Sequence, residues 1–373
     1  MLADGGLRHV ELIGRPREAQ VPGRDLKGAQ GIERKVHKRQ APDLLMDNLD
    51  YCRLLDHQAL VIVTALFNNF RGKHMQRRRF SGALGGLALA GGLFSYTQKS
   101  LGAGGTLDPA SVTRRLAAIE KASGGRLGVS ILDTGSGAKY GYRAGERFPM
   151  CSTFKLLAAA LVLHRVDAGQ EQLDRRIPIA AGDILPHSPT TQQHIGPQGL
   201  PMAALCEASI IVSDNAAANL MLASFGGPAG LTAYLRSLGD NMTRLDRTEP
   251  ELNESTPGDV RDTTTPDAML ATVRKLTLGS ALSDASRQLL VQWLQANTTG
   301  DRRLRALLPP GWRVGDKTGS GARGSTNDVG LIWPPGGRAP LLVAAYLTGT
   351  QRPAAERDAA LAQVGELAAS LVQ

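Results

Sequence analysis

From about residue 107 the chain alternates between two hydrophobic rhythms, and their order sketches a fold. DPASVTRRLAAIEKASG carries the apolar spacing of one amphipathic helix, with Asp108 placed to cap it and Pro109 at its first position. RLGVSILDTGSGAKYGYRAG then alternates around a glycine-rich turn, which predicts a hairpin. Helical patterns follow over 152–168, 201–212, 215–225, 228–238, 266–278 and 284–296, divided by loops rich in Pro, Thr and Gly. Strand patterns return at WRVGDKTG, NDVGLIWP and PLLVAAYLTG, and a last helix begins near Pro353. The expected fold is α+β, a three-layer α/β/α arrangement. One antiparallel five-stranded sheet is built from both ends of the domain, the first and last helices share one face, and an all-helical insertion completes it.

The segment before this region reads differently. Residues 1–74 hold no sustained period, and their longest apolar run, Ala59 to Phe67, is too short to span a bilayer. MQRRRFSGALGGLALAGGLFSYTQKS then sets Arg77, Arg78 and Arg79 ahead of a mildly apolar, glycine-rich stretch, with Lys99 after it. This pattern predicts an export signal of the twin-arginine kind starting at Met75, although Gln76 and Ser81 depart from its usual residues. A short membrane anchor is the competing reading, and no apolar run of about 18 residues supports it. The expected organisation is an extension or over-long reading frame at 1–74, signal and linker at 75–105, and one catalytic domain at 106–373, exported to the periplasm.

Composition narrows the function. The chain has 373 residues, 42% hydrophobic and 4% aromatic, enough for one large domain or two coupled subdomains. A formal charge of +9 suggests nucleic acid until it is located. Residues 1–105 hold 16 Lys/Arg against 9 Asp/Glu, whereas 106–373 hold 27 against 25. With no basic stripe and few aromatics, the folded part is not expected to bind nucleic acid. Cys151 and Cys206 sit in apolar contexts that fit burial, and seven scattered His with no C-x-x-C or H-E-x-x-H imply no metal and no cofactor. GWRVGDKTG is not a phosphate loop, because Asp316 separates Gly315 from Lys317.

The chemistry begins at CSTFKLLAAALVL, where Ser152 and Lys155 head a run fit for burial. A serine hydroxyl needs an adjacent base to act as a nucleophile near neutral pH. Positions i and i+3 share a helix face, so Ser152 and Lys155 can meet at the positive end of the helix. Flanked by Phe154, Leu156 and Leu157, Lys155 should lose solvation and with it basicity. Ser-x-x-Lys recurs by chance about once in a chain this long, so alone it decides nothing. Ser213–Asp214–Asn215 at a helix start and Lys317–Thr318–Gly319 at a strand end, in this order and at these separations, make a far more specific set. Capping explains Asp214 equally well, and both roles can hold.

These three motifs resemble the class A serine β-lactamases over about residues 110–372. DRTEPELNESTPGDVRDTTTP, residues 246–266, resembles that family's Ω-loop, which penicillin-binding peptidases lack. The resemblance implies a β-lactamase/transpeptidase-like fold and hydrolysis of penicillins and cephalosporins, conferring β-lactam resistance. It implies an ester on Ser152, Lys155 and Ser213 as proton carriers, and Glu249 with Asn253 holding the water that cleaves the ester. It assigns the Ser152 and Ser320 N–H groups to an oxyanion hole. Asn215 and His187 would face the substrate side chain, while Lys317, Thr318, Gly319 and Ser320 would face its carboxylate, with Arg303 as second cation. It also implies an Arg247–Asp262 clamp, a cis Glu249–Pro250 bond and a monomer that needs no partner beyond small-molecule β-lactams and makes no stable membrane insertion. His187 stands where an aromatic is usual, and Thr326 where many relatives carry arginine. Gly321 and Ala159 remove the partners with which Cys151 and Cys206 pair in some relatives. The rivals are a cell-wall D,D-peptidase, against which Glu249 and Asn253 argue, and a penicillin-sensing receptor, which would need a membrane-coupling segment.

Overall fold

Continuous burial, more than alternation, organises the central strands. The computed structural model describes residues 108–372, so the extension at 1–74, the signal at 75–105 and Met75 lie outside the described residues. Five strands form one antiparallel sheet: β1 (Arg126–Asp133), β2 (Lys139–Tyr142), β7 (Arg313–Ser320), β8 (Thr326–Trp333) and β9 (Leu341–Thr348). Their order is β2-β1-β9-β8-β7, so the N-terminal hairpin and the three C-terminal strands meet where β1 pairs with β9. Every residue of β9 is buried because both faces of the sheet are covered, which is why LLVAAYLT reads as an unbroken apolar run.

One face is covered by α1 (Pro109–Ser123) and by α8 (Ala354–Ser370). Val112, Leu116 and Ile119 of α1 meet Val129, Ile131, Leu361 and Val364 in that layer, and each such full burial contributes about 2 kcal/mol. Gly124, left-handed at φ +64°, ends α1 by donating its N–H to Glu120 O. Asp108 flanks the helix without capping it: its side chain makes no cap hydrogen bond, and Pro109 at the first position has no N–H to offer. The other face packs on α2 (Phe154–Asp167), α6 (Pro266–Thr277) and α7 (Asp284–Gln295). The ten residues from Phe154 to Leu163 are all buried, so α2 is apolar all round and runs through the middle of the protein. Beside it lie α3 (Met202–Ile211), α4 (Asn215–Ser224) and α5 (Gly227–Ser237).

The expected insertion is not wholly helical. Arg176–Ile179 (β4) pairs with Gly196–Pro201 (β5), and Phe148–Pro149 (β3) pairs with Thr263–Thr264 (β6). The second ladder ties the approach to Ser152 to the end of the loop carrying Glu249. Ser152 itself lies in a 3₁₀ turn, Cys151–Thr153, ahead of the α-helix rather than within its first turn. Among the described residues no helix is long and apolar enough to cross a membrane.

Candidate active site

Four segments converge on Lys155. The 3₁₀ turn brings Ser152, the first turn of α2 brings Lys155, the residues before α4 bring Ser213, and the loop after α5 brings Glu249. The Lys155 and Glu249 side chains are fully buried and pair at 3.0 Å. Lys155 Nζ also donates to Ser213 O at 2.8 Å and Asn215 Oδ1 at 2.6 Å, with Ser213 Oγ at 3.3 Å. Three close acceptors match the three N–H bonds of an ammonium. Burial pulls this ammonium below its ordinary pKa, while the charges of Glu249 and Asp214 pull it back.

Ser152 and Lys155 make no direct hydrogen bond to each other. Ser152 Oγ donates to Glu249 Oε1 at 3.2 Å, the same oxygen that receives Lys155, so the carboxylate bridges them. Ser152 sits in the 3₁₀ turn ahead of the helix, and Glu249 reaches both side chains from a distant loop. Cys151, just before it, is held at φ +46° and Ser213 at φ +59°, conformations costly for residues with a Cβ and sustained by the packing around them.

The loop that delivers Glu249 is fixed at both ends. Asp262 Oδ2 receives Arg247 Nε at 2.6 Å, and its Oδ1 receives the Asp246 and Arg247 N–H groups. The Glu249–Pro250 bond is cis. Asn253 Nδ2 donates to Glu249 Oε2 at 2.5 Å, and its Oδ1 is buried without a protein partner. Asn219, one helical turn after Asn215, holds Glu249 from behind, with Oδ1 on its N–H at 2.9 Å and Nδ2 on its carbonyl at 2.8 Å. Nothing in the sequence reading named Asn219, although its i+4 relation to Asn215 offered the signal.

Strand β7 supplies the opposite wall. Lys317 is fully buried and its Nζ reaches Ser213 Oγ at 3.2 Å, so one hydroxyl lies between two amines. Burial first, and the Lys155 charge second, bring Lys317 down to about 7. Behind it Asp316 takes hydrogen bonds from Asn297 and Arg305. Burial and the adjacent Asp316 charge hold the neighbouring Asp328 carboxyl well above the usual range. Thr318 Oγ1 meets Thr299 Oγ1 at 2.5 Å. Gly319 must lack a side chain, since a Cβ there would lie 2.7 Å from Met150 O. This close approach sets the end of β7 against the turn holding Ser152.

Arg303 lies against the end of β7. Its Nη2 donates to Ser320 Oγ at 2.7 Å and its Nη1 to Gly319 O at 2.9 Å, while Asp358 holds its Nε at 2.8 Å. A second guanidinium went unread in the sequence: Arg357 on α8 donates to Thr326 Oγ1 at 3.0 Å, and Thr326 is the register partner of Ser320. His187 is exposed at φ +61°, its Nε2 2.9 Å from Val212 O, and its carbonyl receives the Asn215 N–H at 3.0 Å. The Asn215 amide is occupied at both ends, by Lys155 and by Pro186 O at 2.8 Å. Cys151 and Cys206 are buried and free, and burial pushes the Cys151 thiol up to about 12, out of reach of thiolate chemistry.

The arrangement offers a hydroxyl, a carboxylate that accepts its hydrogen bond, two lysines of lowered basicity and a hydroxyl between them. Comparison with known proteins gives a consistent result. The family model described as Beta-lactamase enzyme family matches residues 111–372. Beta-lactamase L2 of Stenotrophomonas maltophilia is 46% identical over 302 residues, which cover 80% of this chain and 99% of that protein. Beta-lactamase CTX-M-8 of Citrobacter amalonaticus is 48% identical over 256 residues, 69% of this chain and 87% of that one. Among solved structures, an ancestral class A β-lactamase is 62% identical with a TM-score of 0.67, covering 69% of this chain and 98% of its own. A putative class A β-lactamase, PenP from Rhodopseudomonas palustris, is 57% identical at the same TM-score of 0.67, covering 69% of this chain and 98% of its own.

Proposed function

The chain belongs to the class A β-lactamases, within the β-lactamase enzyme family, and from that premise we propose that it hydrolyses penicillins and cephalosporins through an ester on Ser152 and so confers resistance to them. The observation that carries the mechanism is the doubly engaged oxygen of Glu249, within 3.2 Å of the nucleophile and 3.0 Å of Lys155. In the first half, Ser152 Oγ gives its proton to the Lys155–Glu249 pair and attacks the lactam carbonyl. The ring C–N bond then breaks as Ser213 passes a proton to the departing nitrogen and is reprotonated from a lysine beside it. The N–H groups of Ser152 and Ser320 hold the oxyanion. Lys317, Thr318 and Ser320, with Arg303 behind Ser320, take the substrate carboxylate, while Asn215 and His187 border its side chain. In the second half, Glu249 removes a proton from water that Asn253 Oδ1 also holds. The hydroxide attacks the acyl carbon, and the ester bond breaks as the proton taken by Glu249 passes to Ser152 Oγ, which regenerates the hydroxyl and the carboxylate.

The test is mass spectrometry of Glu249→Ala mixed with a penicillin. A persistent adduct on Ser152, with turnover lost, supports this division of labour. An unacylated, inactive variant would assign the first proton transfer to Glu249 itself, and normal turnover without adduct would remove the role altogether. We also carry forward a monomeric enzyme exported from a signal that starts at Met75, with residues 246–266 as its Ω-loop and the periplasm as its destination. Amino-terminal sequencing of the exported protein decides the signal, and light scattering decides the monomer.

A further inference from the structure

A cavity of about 650 Å³ opens between the ends of the sheet and the limb Ser255–Arg261 of the loop that carries Glu249. None of Ser152, Lys155, Ser213, Glu249 and Lys317 lines it, so it is separate from the catalytic cleft. Its lining is unbalanced in charge: five arginines and one carboxylate, Asp259. Three of the arginines are matched by acids. Arg126 pairs with Glu146 at 3.0 Å, Arg247 with Asp262 at 2.6 Å and Glu254 at 2.5 Å, and Arg261 with Asp259 at 2.7 Å. Arg147 is not, since its Nη1 donates only to the neutral oxygens Met242 O at 2.7 Å and Thr263 Oγ1 at 3.1 Å. Arg323, exposed in the turn between β7 and β8 at φ +55°, makes no side-chain hydrogen bond or ion pair among the described residues. Between these cations the wall is apolar at Pro257 and Val260, with Leu252 almost wholly buried, and Val260 is 47% exposed.

We propose that this cavity binds an organic anion with an apolar body, its carboxylate or sulfonate taken by Arg147 and Arg323 and its body lying on Pro257 and Val260. A concave wall concentrates the field of unmatched guanidinium groups, and those groups supply paired donors to a planar anion. The volume suits a drug-sized molecule and far exceeds an inorganic ion. The proposal does not rest on the hydrolytic reading: no residue proposed to touch substrate or water lines the cavity, although its limb 255–261 belongs to the loop that carries Glu249.

Calorimetric titration of the full chain with 2-naphthoate, and in parallel with uncharged 2-naphthamide, tests the proposal. The naphthoate should bind saturably and about tenfold more tightly than the amide. That advantage should vanish in Arg323→Gln and invert in Arg323→Glu, while both variants keep native β-lactam turnover. Hydrogen exchange should slow at 255–261 when naphthoate is present. The absence of saturable heat, equal affinity for acid and amide, or Arg323 variants that bind as the native chain does would each overturn the proposal. Protection confined to 151–155 and 317–320 would overturn it too, by placing the carboxylate in the catalytic cleft.

Discussion

Replacing Lys317 with methionine should stabilise the protein, and should do so more in acid than in alkali. The side chain is fully buried, and its amine titrates at about 7 against an ordinary 10.5. At about 1.36 kcal/mol per pH unit, keeping this group in the fold costs about 5 kcal/mol wherever the unfolded chain is protonated and the pH lies below about 7. The sign follows from proton uptake: between the two pKa values the unfolded chain binds the extra proton, so native stability rises with pH across that window. Near pH 9 the same cost has shrunk to about 2 kcal/mol. Methionine matches the volume and carries no charge, but it forfeits the bonds to Ser213 Oγ and Thr318 O, each worth about 1 kcal/mol. Lys317→Met should therefore gain about 3 kcal/mol near pH 6 and roughly nothing near pH 9. Denaturant unfolding of both proteins at the two pH values measures this directly. A stability difference independent of pH, or a variant that gains more at pH 9 than at pH 6, would refute the reasoning that Lys317 is held against its own solvation.

Three further outcomes follow from the same geometry. A substrate carboxylate beside Lys317 should raise its pKa, so the alkaline limb of kcat/KM should fall near pH 7 while the limb of kcat lies higher; coincident limbs in a steady-state pH profile would count against the contact. Asn219→Ala removes both bonds that hold the Glu249 backbone, and should cost about 2 kcal/mol by thermal unfolding and slow ester hydrolysis more than ester formation in stopped-flow traces. Arg247→Ala leaves the buried Asp262 without its cation, and should cost about 3 kcal/mol in denaturant unfolding and speed hydrogen exchange over 246–262.

What the sequence reveals and what it hides divide along physical lines. Long elements with a period were legible: the five-stranded sheet, the eight helices of the described residues and the faces they cover follow from spacing and from unbroken apolar runs such as that of β9. Ser152, Lys155, Ser213, Glu249 and Lys317 were legible as motifs, and the fold does bring them together. The two-residue ladder β3–β6 was not, because two residues carry no period; β4 and β5 are short and interrupted by Pro and Gly. Contacts between distant segments were equally hidden. Asn219 behind Glu249 and Arg357 on Thr326 are ordinary helix residues until the chain closes around them. That Ser152 and Lys155 meet through Glu249 Oε1 is hidden for the same reason, since the carboxylate comes from a segment 97 residues beyond Ser152.

The charge inventory of the site explains why one carboxylate stands where it does. Two buried ammonium groups joined through Ser213 Oγ repel each other, and the second-largest reason for the fall of Lys317 to about 7 is the charge on Lys155. Glu249 pairs at 3.0 Å with Lys155, which makes Lys155 the cation the site can keep and leaves Lys317 the one that titrates near neutrality. On the proposed mechanism this asymmetry has a use. Ser152 and Lys155 both lean on Glu249 Oε1, so any proton leaving the serine moves within a preassembled pair and needs no bulk solvent. Lys317, poised at its own midpoint, gains charge when an anionic substrate arrives, so recognition strengthens as the substrate binds. A neutral residue in place of Glu249 would remove the pairing that sets this asymmetry. Deprived of its counter-charge, Lys155 would release its proton more readily, its repulsion of Lys317 would fade, and the pKa of Lys317 would rise, with burial, the larger cause, still holding it below its ordinary value.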